Sequence, residues 1–381
     1  MQTDFVTNKS LLILGGYGIT GKLIARLLLQ ETDLKLILGG RSLEKACSLA
    51  ETLNTEFNTD RVDGIAVDAA DRQSLRRAFQ EAQMVIVASS TSQYARLVSE
   101  SALEADIDYL DVQYSTQKLA SLKTMAKDIE VAGRCFITEC GFHPGVPAAL
   151  VRYAAQHCDR LHKAVIGSII KIDWKTLPLT EATIHEMMEE FSTAEMLIYQ
   201  GGEWKSAGWW GMNALKFMDF SPYFKRQYCV PMFLEEMRLL TEIFPELRET
   251  SFYVGGFNWF VDWIIFPLAI LGMKIGKKHA ARPMGKFLML GLRTFTQPPY
   301  GTVLKLEAIG LKDEREVALQ LQLYHRDGYM MTAIPTVACL LQYLDGTIRK
   351  PGLWYQAHIV EPERFLNDMS RLGVEVTKNF P

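Results

Sequence analysis

The feature that most restricts this chain is a run of glycines set directly after a short apolar segment. Leu11–Leu14 holds no polar residue, and Gly15-Gly16-Tyr17-Gly18-Ile19-Thr20-Gly21 follows at once. Helical spacing then begins over Lys22–Gln30. A strand that runs into a glycine turn and then a helix is the opening of a βαβ unit. There Gly16 permits a tight turn, Gly18 lets backbone approach a diphosphate, and Gly21 lets the helix pack on the strand. The first helical N–H groups, around Ile19 and Thr20, are unpaired and face an anion, with Tyr17 on the same turn. The spacing predicts a dinucleotide site.

The series repeats. Leu34–Leu38, Gly64–Val67, Met84–Ala88, Tyr109–Val112 and Cys135–Thr138 read as strands. Helices are predicted over Ser42–Leu53, Asp71–Glu81 and Tyr94–Ala105, and from the fifth strand to about Ala132, with Ser42 and Asp71 as N-caps. Alternation of this kind predicts an α/β, Rossmann-type parallel sheet covered on both faces. The pattern changes near residue 150. Ala164–Ile172 reads as a strand, and 180–250 as helical or irregular. Val303–Gly310 and Val317–His325 alternate as a hairpin about Lys312–Arg315. An inserted α+β domain on a mainly antiparallel sheet is therefore expected, followed by a helix over Thr332–Leu344.

The end of the second strand bears on the cofactor. Enzymes selective for NAD place an acid there to accept from the ribose 2′-hydroxyl. Here the chain reads Gly39-Gly40-Arg41-Ser42, with Lys45 close by. No carboxylate repels a phosphate, and Arg41 and Ser42 can bind one. NADP(H) is the expected cofactor; the alternative is that Arg41 is only a solvated surface residue. The glycines also fit the GxxGxxG spacing of short-chain dehydrogenases, and Tyr114-Ser115-Thr116-Gln117-Lys118 matches their Tyr-x-x-x-Lys pair. That match falls too early in the chain for such a fold and is read as accidental, although Tyr114 sits where ligands bind.

Several segments together resemble the saccharopine dehydrogenase-like oxidoreductases. They are Gly15–Gly21, Gly40-Arg41-Ser42, Asp68, Ala88-Ser89-Ser90 and Asp108-Tyr109-Leu110-Asp111. They continue with Cys140-Gly141-Phe142-His143-Pro144-Gly145 and, late in the chain, Gly328–Pro335, Leu344-Asp345-Gly346 and Lys350-Pro351-Gly352. The resemblance implies a Rossmann domain over 1–150 plus 331–381, with a substrate and dimerisation domain over 151–330. It implies hydride transfer at a C=N bond of an amino-acid or imine-type substrate, or at a C=C bond of an apolar one. The family's usual Asp in the Cys-Gly-Phe-Asp-Pro-Gly turn is His143 here. A catalytically silent NADP-binding sensor or membrane-associated scaffold is the alternative.

Candidate chemical groups follow from position. Ser89, Ser90 and Thr91 end the fourth strand and either reach the nicotinamide ribose or cap the next helix. Asp111 either orients a cofactor hydroxyl or caps a turn. His143, with an ordinary pKa near 6.5, suits acid–base work, and Tyr114 is the second catalytic candidate. Cys140 reads as a small buried residue rather than a nucleophile.

The net charge of -3 gives no pull toward nucleic acid. Six scattered cysteines, none at metal spacing, suit a reducing, cytoplasmic setting, and no metal site is expected. The first ten residues lack a signal-peptide pattern. Trp259–Met273 is aromatic and apolar, is too short to span a bilayer, and precedes Lys274, Lys277, Lys278, Arg282 and Lys286. It is either a peripheral membrane contact or a buried element of a core or of a homodimer interface.

Overall fold

The computed structural model describes residues 10–176, 195–208, 215–258, 260–265, 268 and 285–380. The chain divides into two compact units. The first takes in residues up to Gly145 together with Thr332–Glu361, and the second takes in Val146–Met331 and Pro362 onward.

The first unit is a seven-stranded parallel sheet. Its strands are β1 (Ser10–Leu14), β2 (Lys35–Gly40), β3 (Val62–Ala66), β4 (Met84–Val87), β5 (Asp108–Asp111), β6 (Cys135–Thr138) and β15 (Gly352–Tyr355). They lie in the order β15-β6-β5-β4-β1-β2-β3, so the direction of winding reverses between β1 and β4. The intervening helices are α1 (Ile19–Glu31), α2 (Leu43–Glu56), α3 (Arg72–Phe79), α4 (Ala95–Glu104) and α5 (Thr116–Val131). The apolar run of β1 reflects burial on both faces. Leu12 and Leu14 join a core with Leu75, Phe79, Leu122 and Met125 of α3 and α5. Leu11 and Ile13 alternate to the other face and are equally inaccessible. The expected caps form: Ser42 Oγ accepts from Lys45 N at 3.3 Å, and Asp71 Oδ1 from Gln73 N at 2.9 Å.

Two features of this unit differ from the sequence expectation. Gly352–Tyr355, to which the sequence reading assigns no strand, is the edge strand β15, paired in parallel with β6. A four-residue strand behind Pro351-Gly352 is too short to show alternation. Second, residues from Pro362 onward do not return to the Rossmann sheet. The strand β16 (Glu375–Asn379) pairs antiparallel with Arg315–His325 of the second unit.

The second unit carries a nine-stranded sheet with a main path β10-β11-β12-β7-β13-β14-β16. Its long members are β7 (Arg160–Lys171), β13 (Gly301–Lys312) and β14 (Arg315–His325). The β13–β14 hairpin turns through Asp313 and Glu314, both at positive φ, as a two-residue turn between twisted strands requires. The stretch 180–250, read as helical or irregular, holds the helix Glu235–Ile243 but also supplies short strands among its described residues. They are β8 (Leu197–Gln200), β9 (Glu203–Ser206), β10 (Lys216–Asp219), β11 (Arg226–Pro231) and β12 (Glu249–Gly255). The sheet is mainly antiparallel, with one parallel pairing, β12 on β7. Its helices include α6 (Pro147–Ala155), α7 (Glu235–Ile243) and α10 (Pro362–Arg371), while α8 (Met330–Leu344) and α9 (Gln356–Ile359) belong chiefly to the first unit.

Much of Trp259–Met273 lies outside the described residues. Of the part described, Val261 and Ile265 are buried against Trp174, Leu288 and Leu292. Among the described residues no helix is long and apolar enough to cross a membrane. All six cysteines are thiols.

Candidate functional site

The dinucleotide cradle is built at the carboxyl ends of β1, β2, β4 and β5, where the winding reverses. Gly15, rather than Gly16, takes the left-handed conformation of the turn, at φ 88°. A Cβ on Gly21 would lie 2.3 Å from Gly15 O, so the start of α1 is pressed directly on the loop. Gly15 and Gly16 both donate to Gly39 O, at 2.8 and 3.1 Å, which ties the loop to the end of β2. The first turn of α1 carries no acid, and its N-cap, Gly18, offers no side chain to the free N–H groups. An uncapped helix start of this kind is an anion site.

Tyr17 joins this loop to the cofactor-selecting end of β2. Its ring lies against the Gly40 backbone, and its hydroxyl accepts from Ser42 N at 3.1 Å. Arg41, Lys45 and Asp68 are exposed. Arg41 has no carboxylate partner among the described ion pairs, whereas Asp68 Oδ1 accepts from Ala70 N at 3.0 Å and shapes the turn after β3.

At the end of β4 the hydroxyls do not cap the next helix. Ser89 Oγ and Thr91 Oγ1 lie 2.8 Å apart, and Thr91 makes no side-chain cap. Ser90 is exposed. Gln113, overlooked in the sequence, locks this strand end to β5. Its Nε2 donates to Ser89 O at 2.6 Å and reaches Thr91 Oγ1 at 3.3 Å.

Asp111 turns inward rather than toward a cofactor. Its side chain is fully buried and accepts from Lys118 Nζ at 2.7 Å, Thr138 Oγ1 at 2.7 Å and Gln113 N at 3.1 Å. Burial, with Asp111 beside it, holds the Tyr109 phenol well above its ordinary pKa. Lys118 Nζ also donates to Gln113 O at 2.5 Å and Thr138 Oγ1 at 2.9 Å. Its three protons are thereby engaged, so it cannot serve as the lysine of a Tyr-x-x-x-Lys pair. Tyr114 is half-buried at the same strand end.

The turn bearing His143 is held from the returning chain. Thr336 Oγ1 of α8 donates to Cys140 O at 3.1 Å, and Gln356 Nε2 of α9 donates to Gly141 O at 3.1 Å. Glu139, at φ 57°, opens the turn in a conformation rare for a residue with a side chain. The His143 ring nitrogens are buried, and burial pushes its pKa down to about 4. The ordinary value that suited acid–base work is therefore lost, and the imidazole is neutral at pH 7. Cys140 is inaccessible, its thiol pushed well up by burial and by Cys339 beside it, and it is no nucleophile. Among the described residues no group of three potential ligands could hold a metal ion.

The cradle fits a dinucleotide: glycines where a Cβ would strike backbone, an uncapped helix start, a cation without an acid beyond β2, and a buried amide at the far end. Residues 11–132 match the family model of the saccharopine dehydrogenase NADP binding domain. No curated protein matches the sequence. Apo saccharopine dehydrogenase (L-Glu forming) from Saccharomyces cerevisiae aligns over 98% of this chain and 100% of its own, at 14% identity and a TM-score of 0.67. That likeness is one of fold. A myo-inositol dehydrogenase from Corynebacterium glutamicum covers 98% of this chain and 100% of its own at 12% identity, with a TM-score of 0.46. A Veillonella parvula short-chain dehydrogenase/reductase solved with NADP covers 28% of this chain and 47% of its own at 23% identity, with a TM-score of 0.24.

Proposed function

We propose that this chain, whose residues 11–132 match the saccharopine dehydrogenase NADP binding domain, belongs to the saccharopine dehydrogenase-like family and is an NADPH-dependent reductase of a C=N bond in an amino-acid or imine-type substrate, or of a C=C bond in an apolar one. The observation that carries the cofactor half is Arg41, exposed beyond β2 with no acid at the position that would select NAD. NADPH supplies the hydride, and the chain supplies binding, orientation and a dry site. The glycine loop and the start of α1 bind the diphosphate. Arg41 and Ser42 bind the adenosine phosphate, with Tyr17 holding Ser42 in place. Ser89 and Thr91 present hydroxyls to the far ribose. His143 contacts substrate as a neutral imidazole, and Tyr114 is the second substrate-facing candidate.

A cytoplasmic homodimer is part of the same reading. The test is NADPH oxidation by the purified chain against imines, oxo-acid and amine pairs, and enoyl thioesters. Turnover with one class names the bond. Tight NADPH binding with no turnover across the panel would instead favour a silent sensor.

A further inference from the structure

Gln113 has four polar groups, and three are pinned. Its backbone N donates to Asp111 Oδ1 at 3.1 Å, and its backbone O accepts from Lys118 Nζ at 2.5 Å. Its Nε2 donates to Ser89 O at 2.6 Å. A carbonyl can only accept, so the amide nitrogen must face Ser89, and the orientation of the amide is fixed. The fourth group, Oε1, is sealed from solvent, and no donor among the described residues reaches it. The residue is 8% exposed. A buried acceptor left without a donor costs more than a formed hydrogen bond returns, so such atoms are rare unless a ligand completes them.

The place of this atom says which ligand. Ser89 abuts the glycine loop, since a Cβ on Gly15 would lie 2.7 Å from Ser89 Cβ. Gln113 stands one strand further from Arg41, in the order β5-β4-β1-β2. A dinucleotide with its phosphorylated adenosine at β2 and its diphosphate at β1 extends its nicotinamide half past β4 toward β5. We propose that Gln113 Oε1 accepts a hydrogen bond from the nicotinamide half of the cofactor, either from the carboxamide N–H or from a ribose hydroxyl. The buried Lys118–Asp111 pair is then a positioning device. It clamps the backbone of Gln113 on both sides, so the acceptor is aimed before the cofactor arrives.

The inference rests on the NADPH reading, and binding measurements separate the two. Affinities of the full chain are measured by calorimetry for NADP+, for its 3-acetylpyridine analogue, which lacks the carboxamide N–H, and for 2′,5′-ADP, which carries only the adenosine half. Gln113→Met is expected to weaken NADP+ about fivefold or more, the size of one net hydrogen bond, and to leave 2′,5′-ADP unchanged. Gln113→Asn, which keeps the amide but shortens it by one methylene, should give the same pattern. Equal weakening of NADP+ and the analogue identifies a ribose donor. A wild-type preference for NADP+ that the Met variant erases identifies the carboxamide. Unchanged NADP+ affinity in both variants, or equal loss of 2′,5′-ADP, overturns the inference and leaves the NADPH reading standing. A wild-type chain that binds neither NADP+ nor 2′,5′-ADP overturns both.

Discussion

Lys118 Nζ lies 2.7 Å from Asp111 Oδ1, and neither side chain has any exposed surface. Removing one member of such a pair leaves a buried charge without compensation. Lys118→Met should therefore destabilise the chain by about 3–5 kcal/mol, read as a shift of the guanidinium midpoint. Adding Asp111→Asn should recover part of that loss. A single variant as stable as wild type would show that the pair is dispensable.

Arg41→Asp should weaken NADPH about 10- to 100-fold, the value of charge-assisted contacts to a phosphate, while NADH binding is kept or improved. Fluorescence titration with both coenzymes reads the ratio. Equal losses for the two would remove Arg41 from cofactor selection.

Gly21→Ala brings a methyl to 2.3 Å from a backbone carbonyl that cannot swing aside. Overpacking of this kind costs about 1–3 kcal/mol and pushes α1 off the loop. NADPH affinity should fall at least as steeply as stability, and thermal unfolding with and without NADPH checks both.

His143 gives a pH dependence of defined sign. Its folded pKa, about 4, lies below its ordinary 6.5. Between those values the unfolded chain takes up a proton that the folded chain refuses. The contribution is complete above pH 6.5 and is lost as pH falls toward 4, by about 3 kcal/mol in all. His143→Asn should flatten that slope, so the stability gap between variant and wild type changes from pH 7 to pH 4.5. Urea midpoints at the two values measure it, and parallel curves would refute the buried neutral imidazole.

Much of the first unit was legible because its signals are local. The glycine loop, the caps at Ser42 and Asp71 and the apolar strands each depend on neighbours within a few residues. What escaped depends on the direction of a side chain at a strand end. Asp111, Gln113 and Lys118 lie within eight positions, yet one points into the core, one bridges to β4 and one folds back beneath both. Gly15 exchanged roles with Gly16 because the turn conformation follows from contact with β2 and β4, which lie distant in sequence. Of the strands missed between 195 and 255, β8, β9 and β10 have four residues each, too few to show a period.

The edge strand β15 and the strand β16 follow every other strand in sequence, and each extends a different sheet. A ribosome must therefore pass Tyr355 before β6 gains its outer neighbour, and Asn379 before β14 does. Until then β6 and β14 each present an unpaired rim through which a nascent chain of this kind is exposed to aggregation.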